Sequence, residues 1–374
     1  MQNPIKNFKK KKAADALILL LVFAMPVAAA FWGVPIWDAF GQNTARLSAA
    51  MTMPEAGVDA VFKSMSFPSG ESSNIINVGQ PSAGILPKEE PIPGLTDVEN
   101  ASRLIPESRR GAIETSRYAS HGSGNLYFDY GNGCVWNLLS SSNADMQAAA
   151  SQPLPFGIVL NSSEPQVLIY HTHSTESFDR FDAGFYDTEY PSRSTDVTDN
   201  VNAVGQVMAD TLDALGIRTI HATEYHDYPS YNGAYGRSRE TVQYYLARYP
   251  SIKIVLDIHR DAIERNDGTR IKPTTAIDGK KAAQVMIVCS SGGKSNPFPE
   301  FQKNLSFAAH LQDTIETLYP TITRPLKLGT NNYNADLSTG SLLMEIGSHA
   351  NTLEEAKYSG ELVARALARL FSAV

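Results

Sequence analysis

The chain has 374 residues, of which 43% are apolar, 9% aromatic and 19% charged. These proportions are those of a chain with a sizeable globular core, so disorder along the whole length is excluded. The formal net charge is -7, and the dense cationic run is confined to residues 9–12, which leaves no basic face for binding nucleic acid.

The chain contains two cysteines, Cys134 and Cys289, which do not form a C-x-x-C pair. Their density is far below that of a secreted scaffold held by disulfides, so core burial has to supply the stability. Cys289 ends an apolar run and is expected to be a buried small hydrophobe. A disulfide between the two cysteines remains an alternative.

An uncharged apolar segment follows a lysine-rich N-terminus. Residues 16–37 are predicted to be a transmembrane anchor, because the uncharged stretch is long enough to cross a hydrocarbon core of about 30 Å as a helix. The five lysines before it keep residues 1–15 in the cytoplasm. The anchor therefore predicts a single-pass cell membrane protein with an extracytoplasmic C-terminal domain. A signal peptide cleaved near Ala28 and Ala30 is the alternative, and it also places the rest of the chain outside the cytoplasm.

The next segment shows neither helical nor strand periodicity. Residues 38–125 are rich in Ser, Gly, Pro, Asn and acidic residues, which predicts a flexible stalk with a reach on the order of 50 Å. Residues 126–374 are predicted to form the catalytic domain, with its core at residues 152–374.

Strands and helices are predicted to alternate in this domain. In chain order, the pattern predicts a short helix at about 143–151, a strand from Pro165, a helix at 199–216, a strand at 217–221, a helix at 237–248, a strand at 251–259, a hairpin turn at Asp278-Gly279 followed by a strand up to Cys289, a helix at 299–318, a strand from Ser341 and a helix at 353–371. Thr352 is expected to cap the last helix, with Glu355 reaching back.

The alternation, with several strands apolar throughout, predicts an α/β fold with a mostly parallel sheet and helices on both faces. In such sheets ligands bind beyond the carboxyl ends of the strands. Residues that carry chemistry are therefore expected just after Tyr170, Ile258 and Met344.

Histidines and carboxylates follow these three strand ends. His171, His173 and Glu176 lie within HTHSTESF, His259 ends the second strand, and Glu345 ends the third. Such a set suits one catalytic Zn²⁺ with three protein ligands and an open position. The spacing His173-x-x-Glu176 matches the H-x-x-E pair of zinc carboxypeptidases, with His259 as the distant third ligand. Glu345 would then be the general base, and amide hydrolysis is the expected reaction.

The sequence leaves more than one role open for several of these residues. His171 could ligate in place of His173, donate to a neighbour of the metal site, or only pack. Arg260 and Asp261 are equally well interpreted as ordinary surface charges. Glu345 lies in the apolar run LLMEIG, where an unpaired carboxylate is expensive, so a functional role is favoured. Four histidines are interpreted as residues without a metal role: His221, His226, His310 and His349.

Nucleotide hydrolases and serine hydrolases are disfavoured because the sequence lacks their motifs. Gly293-Lys294-Ser295 follows a strand, but Val288 stands where a phosphate-binding loop requires glycine. A G-x-S-x-G nucleophile elbow does not occur in the sequence.

Three segments, VLIYHTHSTESF, DIHRDA and SLLMEIGSHANTLEEA, occur in this order, and from about residue 154 onward the chain closely resembles the stage II sporulation protein P family. That family is similar to zinc-dependent N-acetylmuramoyl-L-alanine amidases, in which two histidines and a glutamate bind metal and a second glutamate is catalytic. The resemblance implies His173, Glu176 and His259 as zinc ligands and Glu345 as the catalytic residue. In the broader amidases the glutamate ligand begins the following helix, which here opens with residues 198–200.

The resemblance also implies a function and partners. It implies cleavage of the amide between muramic acid and the stem peptide of peptidoglycan, with an endopeptidase activity on cross-links. It further implies action at the sporulation septum during engulfment, together with stage II sporulation proteins D and M. The residues themselves leave two alternatives, a zinc carboxypeptidase or endopeptidase on stem peptides and a non-catalytic peptidoglycan-binding scaffold.

Overall fold

The computed structural model describes residues 93–372. Its strands, in chain order, are β1 (Arg110–Ser116), β2 (Tyr127–Tyr130), β3 (Gly133–Asn137), β4 (Val167–Tyr170), β5 (Phe185–Asp187), β6 (Thr219–His221), β7 (Ile254–Asp261), β8 (Arg270–Ile277), β9 (Lys280–Ala283), β10 (Val285–Ser290), β11 (Leu326–Gly329) and β12 (Ser341–Ser348). Eight of them form one sheet in the order β2-β3-β11-β10-β12-β7-β4-β6, and four form a second sheet in the order β5-β1-β8-β9.

Six α-helices occur among the described residues. In chain order they are α1 (Asp97–Leu104), α2 (Asn143–Ala150), α3 (Val201–Ala214), α4 (Ala234–Arg248), α5 (Phe301–Leu318) and α6 (Leu353–Ser372), with short 3₁₀ turns at Glu107–Arg109 and Ala335–Leu337. The cap of α6 is formed as expected. Thr352 N–H donates to the Glu355 carboxylate at 3.1 Å, and Glu355 N–H donates to Thr352 Oγ1 at 3.3 Å.

The strand β4 shows why the central strands are apolar throughout. Its side chains alternate between two faces of the sheet, and both faces are covered. Ile169 belongs to the large core that also holds Met208 of α3, whereas Leu168 packs in a smaller core with Val242 of α4. Helices therefore lie on both faces, as predicted, because each face of β4 needs its own apolar cover.

The expectation of a mostly parallel sheet is wrong, because both sheets are mixed. In the larger sheet β10 runs antiparallel to β12, and β2 and β3 form an antiparallel pair. The Asp278-Gly279 turn joins β8 to the short β9, and β10 begins only after Gln284. A buried apolar run looks the same in either direction, so strand direction depends on connections and pairing partners that local pattern does not report.

Ordered structure begins earlier than the predicted stalk allows. Within the interval assigned to the stalk, α1 forms with a capping box at Thr96 and Glu99, and β1 pairs with β8. The partner strand of β1 lies far along the chain, so its contribution is not visible in local composition. The predicted cytoplasmic segment and anchor, residues 1–37, lie outside the described residues. Among residues 93–372 no helix combines the length and apolar character needed to cross a membrane.

Strand register brings the chemical residues to one end of the larger sheet. Glu345 of β12 pairs with His259 of β7, and Asp257 of β7 pairs with Tyr170, the last residue of β4. The loop after β4 begins beside these positions. The carboxyl ends of three parallel neighbours therefore meet where the sequence predicts the chemistry.

Candidate metal centre

His173, Glu176 and His259 form one cluster. The His173 Nδ1 atom lies 3.4 Å from Glu176 Oε1, and the His259 Nδ1 atom lies 3.4 Å from Glu176 Oε2. The two imidazole rings stand nearly perpendicular, with centroids 4.9 Å apart. One potential ligand atom from each residue lies within 4.8 Å of the others. The tertiary structure thus brings together the three residues that the sequence analysis selected as ligands.

The Glu176 carboxylate is held by a turn and by positive charge. Glu176 N–H donates to the carbonyl of His173 at 3.0 Å, which folds the two side chains of this i, i+3 pair toward each other. The backbone N–H of Arg260 donates to Glu176 Oε2 at 3.1 Å, and Arg193 Nη2 lies 3.7 Å from Oε1. Burial acts to raise the pKa of Glu176, but Arg260, His173 and His259 hold it well below its usual range. The side chain is therefore an anion, as a metal ligand has to be.

A second carboxylate, Asp257, orients His259. His259 Nε2 lies 2.9 Å from Asp257 Oδ1, a close contact whose angle is not that of an aligned hydrogen bond. Asp257 is itself fixed by Thr172, which donates its N–H at 2.8 Å and its hydroxyl at 2.7 Å. Burial acts to lower the pKa of His259, but Asp257 and Glu176 raise it well above its ordinary value. This arrangement leaves Nδ1 of His259 facing Glu176, in the manner of carboxylate–histidine–metal triads.

Sequence analysis missed Asp257, although the sequence carried a signal. Asp257 and His259 are two residues apart on β7, so a strand places both side chains on the same face. A D-x-H pair at the end of a buried strand is therefore a recognisable pattern for a histidine ligand with its supporting carboxylate.

Changing Asp257 to Asn should weaken metal binding without unfolding the protein. The amide keeps the size of the carboxylate and one oxygen that can accept from the Thr172 N–H, but it removes the negative charge beside His259 Nε2. Mutating a carboxylate that supports a histidine ligand typically lowers metal affinity about 10- to 100-fold, so we expect Asp257→Asn to lower zinc affinity by that factor. Competition with a chelator of known zinc affinity measures it. An affinity unchanged within a factor of two would show that Asp257 does not support the ligand.

Glu345 lies directly beside this cluster. It is partly open to solvent, yet its Oε2 atom is buried with no hydrogen-bond partner among residues 93–372. Burial, together with the negative charge of Asp261, raises the pKa of Glu345 to about 8, although His259 acts in the opposite direction. An unsatisfied carboxylate is expensive in a sheet interior. Its position next to His259 is suited to taking up a proton.

His171 lies outside the cluster, and both of its ring nitrogens have partners. Its Nδ1–H donates to the carbonyl of Ile258 at 2.9 Å, and its Nε2 lies 2.9 Å from Nε2 of His221. The residue is fully buried, and burial lowers its pKa to about 3. Of the alternatives, this geometry favours a packing and hydrogen-bonding role that fixes the strand end. His226 donates to the carbonyl of His171 at 2.7 Å and belongs to the same support.

Arg260 is not a surface charge. It is 3% exposed, and its guanidinium donates to the carbonyls of Ser177 and Ser192 at 3.0 and 2.6 Å. It thereby fastens the segment that contains Glu176 to the end of β7. Asp261 is partly exposed and pairs with Arg324 at 2.9 Å.

Tyrosines line the cluster on the side of α4. Tyr231 stacks on the His173 ring with centroids 4.7 Å apart, and Tyr235 meets the same ring edge-on at 5.6 Å. Tyr333 packs against Tyr235 at 5.5 Å. Tyr231 is 39% exposed, so this aromatic wall borders an open approach to the cluster. Sequence analysis did not select these tyrosines, because they come from the start of α4 and from two loops that meet only in the folded chain.

The three-residue cluster fits a zinc ion. Two imidazoles and one carboxylate form a donor set that catalytic zinc sites use, and ligands at roughly 2.0 to 2.2 Å from a tetrahedral ion lie roughly 3.3 Å apart. Each histidine Nδ1 lies 3.4 Å from one oxygen of the Glu176 carboxylate, Oε1 for His173 and Oε2 for His259, and one donor atom of each residue lies within 4.8 Å of the others. Asp257 supplies the carboxylate support that such histidines have.

Comparison with known proteins places the chain in a family. The family model described as stage II sporulation protein P matches residues 132–368. The chain belongs to the stage II sporulation protein P family. The resemblance found in the sequence is thereby confirmed. Stage II sporulation protein P of Bacillus subtilis (strain 168) is 30% identical over 216 residues, which are 55% of this chain and 51% of that protein. The chain thus spans about half the length of this curated relative.

Solved structures that match parts of this family member are amidases. The CwlD amidase from Clostridioides difficile, solved in complex with the GerS lipoprotein, is 10% identical with a TM-score of 0.33, covering 56% of this chain and 100% of that chain. The amidase AmiC2 of Nostoc punctiforme is 13% identical with a TM-score of 0.31, covering 57% and 97%. The amidase Ami1 from Mycobacterium smegmatis is 13% identical with a TM-score of 0.32, covering 56% and 99%.

Proposed function

We propose that this member of the stage II sporulation protein P family is a zinc-dependent peptidoglycan hydrolase that cleaves the N-acetylmuramoyl-L-alanine amide bond. The observation that carries the proposal is the cluster of His173, Glu176 and His259, whose donor atoms lie within 4.8 Å of one another, with Glu345 beside them. A scaffold that only bound peptidoglycan would not require this costly set of buried ionisable groups. The similarity of the family to zinc amidases supports the choice of bond.

His173, Glu176 and His259 would hold the zinc ion. When bound, it would supply Lewis acidity that activates a water molecule and polarises the amide carbonyl. Asp257 keeps the His259 ring in its ligating orientation, and Arg260 keeps Glu176 in place through its backbone N–H. In this proposal the two supporting residues act through the ligands.

Glu345 would carry the proton. As general base it takes a proton from the attacking water and passes it to the leaving nitrogen, so that the carbon–nitrogen bond breaks into a carboxylate on muramic acid and an amine on L-alanine. The buried and unpaired Oε2 is consistent with this use. Tyr231 and Tyr235 border the approach, where their rings can pack against a sugar or the start of the stem peptide.

Family membership and the N-terminal sequence support a proposed place of action. We propose a membrane-tethered protein whose domain faces the outside of the cytoplasmic membrane and acts on septal wall during engulfment. The lysine-flanked apolar segment at residues 16–37 supports the tether. By the same resemblance, stage II sporulation proteins D and M are the proposed partners.

End-group analysis of digested wall tests the choice of bond. The full chain should release free amino groups on L-alanine from purified peptidoglycan while leaving the glycan strands intact, and chelation should stop the release. The matched control is Glu345→Gln, which keeps the shape of the side chain. If new amino groups appear only within the stem peptides or cross-links, the enzyme is an endopeptidase and the amidase proposal is wrong. Intact wall after incubation with zinc-loaded protein would favour the scaffold.

A further inference from the structure

A second group of possible metal ligands lies at the edge of the larger sheet. His121, Asp129 and Cys134 each place one donor atom within 4.8 Å of the other two. His121 Nδ1 lies 2.8 Å from Asp129 Oδ1. These residues belong to the outermost strands β2 and β3 and to the segment before them, whereas the proposed zinc ligands lie around β4 and β7. The two clusters therefore share no residue and no strand.

The hairpin of β2 and β3 sets two of the three donors. Asp129 and Cys134 are directly paired across it, so their side chains emerge on the same face. The sequence spacing of these two residues matches no common metal-binding motif, because the donors are an aspartate and a cysteine separated by a turn. The proximity of a sulfur and a carboxylate is thus a product of strand register.

The third donor is brought in by a close approach of the backbone. The N–H of Gly122 donates to Cys134 Sγ at 3.5 Å, which places the segment carrying His121 against the sulfur. A Cβ at Gly122 would stand only 2.1 Å from the Tyr127 ring, so a residue without a side chain is required there. Close packing of Gly122 against Cys134 and Tyr127 therefore holds the segment that carries His121 against the hairpin.

We propose that His121, Asp129 and Cys134 form a second metal site, which takes a borderline-soft divalent cation such as Zn²⁺. Imidazole nitrogen, carboxylate oxygen and thiolate sulfur are its three donors, and this combination suits zinc rather than Mg²⁺ or Ca²⁺. The sulfur is buried, whereas the side chains of His121 and Asp129 are 48% and 72% exposed, so the cation enters from solvent and its fourth position remains open to water.

Binding at this site exchanges a proton for the metal. Burial raises the pKa of the Cys134 thiol, with a smaller opposing effect of the Gly122 N–H. The sulfur–hydrogen bond breaks, the sulfur–metal bond forms and one proton leaves for solvent, without any change of oxidation state. The cation replaces the hydrogen bond between His121 and Asp129 and joins the segment to the edge of the sheet.

Cobalt substitution tests the site independently of hydrolysis. Thiolate bound to Co²⁺ gives a ligand-to-metal absorption in the near ultraviolet, and the proposed hydrolytic cluster of His173, Glu176 and His259 contains no sulfur. The full chain, loaded with Co²⁺ under a phosphine reductant, should therefore show this absorption. Cys134→Ser should abolish it. The matched control, Cys289→Ser, removes the other buried cysteine and should leave the absorption unchanged.

Two further variants separate this proposal from the hydrolytic one. His121→Ala changes a side chain that is half exposed, so the fold is expected to survive, and Co²⁺ affinity at the sulfur site should fall at least about 10-fold. His259→Ala should leave the sulfur-to-cobalt absorption intact even though hydrolysis is lost. Absence of the absorption in the wild-type chain, or its persistence in Cys134→Ser, would overturn the second site whatever the result for amide cleavage.

Discussion

Glu345→Gln is expected to lower the rate of amide cleavage by about 10²- to 10⁴-fold, the range typical of general acid–base catalysis. Glutamine keeps the shape of the side chain in β12 and can still form hydrogen bonds, but it cannot accept the proton of the attacking water. Oε2 of Glu345 has no hydrogen-bond partner among residues 93–372, so the substitution breaks no hydrogen bond there. Turnover on purified wall, zinc content and wall binding measured together will show whether only the rate changes.

Glu176→Gln is the matched comparison for Glu345→Gln. Both substitutions replace a glutamate by its amide, and both residues adjoin His259. Glu176→Gln should lose zinc affinity together with rate, because a neutral amide is a poorer zinc ligand than a carboxylate. If Glu345→Gln loses zinc and Glu176→Gln keeps it, the ligand and the base have been assigned the wrong way round.

His259→Ala and His173→Ala should each remove about one equivalent of zinc per chain and abolish hydrolysis. Three protein ligands are the usual minimum for a catalytic zinc ion, so two remaining donors hold it poorly. His259→Ala should also lower the free energy of unfolding more than His173→Ala does, because Asp257 is then left buried without the His259 ring beside it. Elemental analysis of the purified full chain measures the metal.

The control for the two histidine variants is His310→Gln. His310 lies on α5, where its ring contacts the Tyr130 hydroxyl at 3.1 Å and the Ser306 carbonyl at 2.8 Å, and it belongs to neither group of proposed ligands. It should retain the zinc content of the wild-type chain. Full zinc retention in both His173→Ala and His259→Ala would falsify the ligand assignment.

Local pattern was enough to predict which ionisable residues lie at the ends of buried strands. The apolar run before His171, the run before His259 and the run around Glu345 mark buried strands, and polar residues at their ends follow from the rule that sites lie beyond parallel strand ends. The cap formed by Thr352 and Glu355 was also predictable, because its partners are three residues apart. Each of these features depends on neighbours within one element.

The support of the proposed metal centre was not predictable in the same way. His171 faces His221, and Arg260 fastens the backbone of Ser177 and Ser192, through contacts that join distant parts of the chain. A histidine beside a ligand motif looks like a ligand in the sequence. Only the packing around it shows that both of its nitrogens are already engaged.

The sequence by itself determined which strands are buried, where they end and which ionisable groups lie at those ends. These properties depend on the pattern of apolar and polar residues within one short segment. Tertiary structure alone decided the mixed direction of the strands, the contact of His171 with His221, the tyrosine wall beside His173 and the meeting of Asp129 with Cys134. The physical reason is that strand direction, strand register and the contacts between loops depend on the packing free energy of the whole domain. The sequence of a short segment does not contain that information.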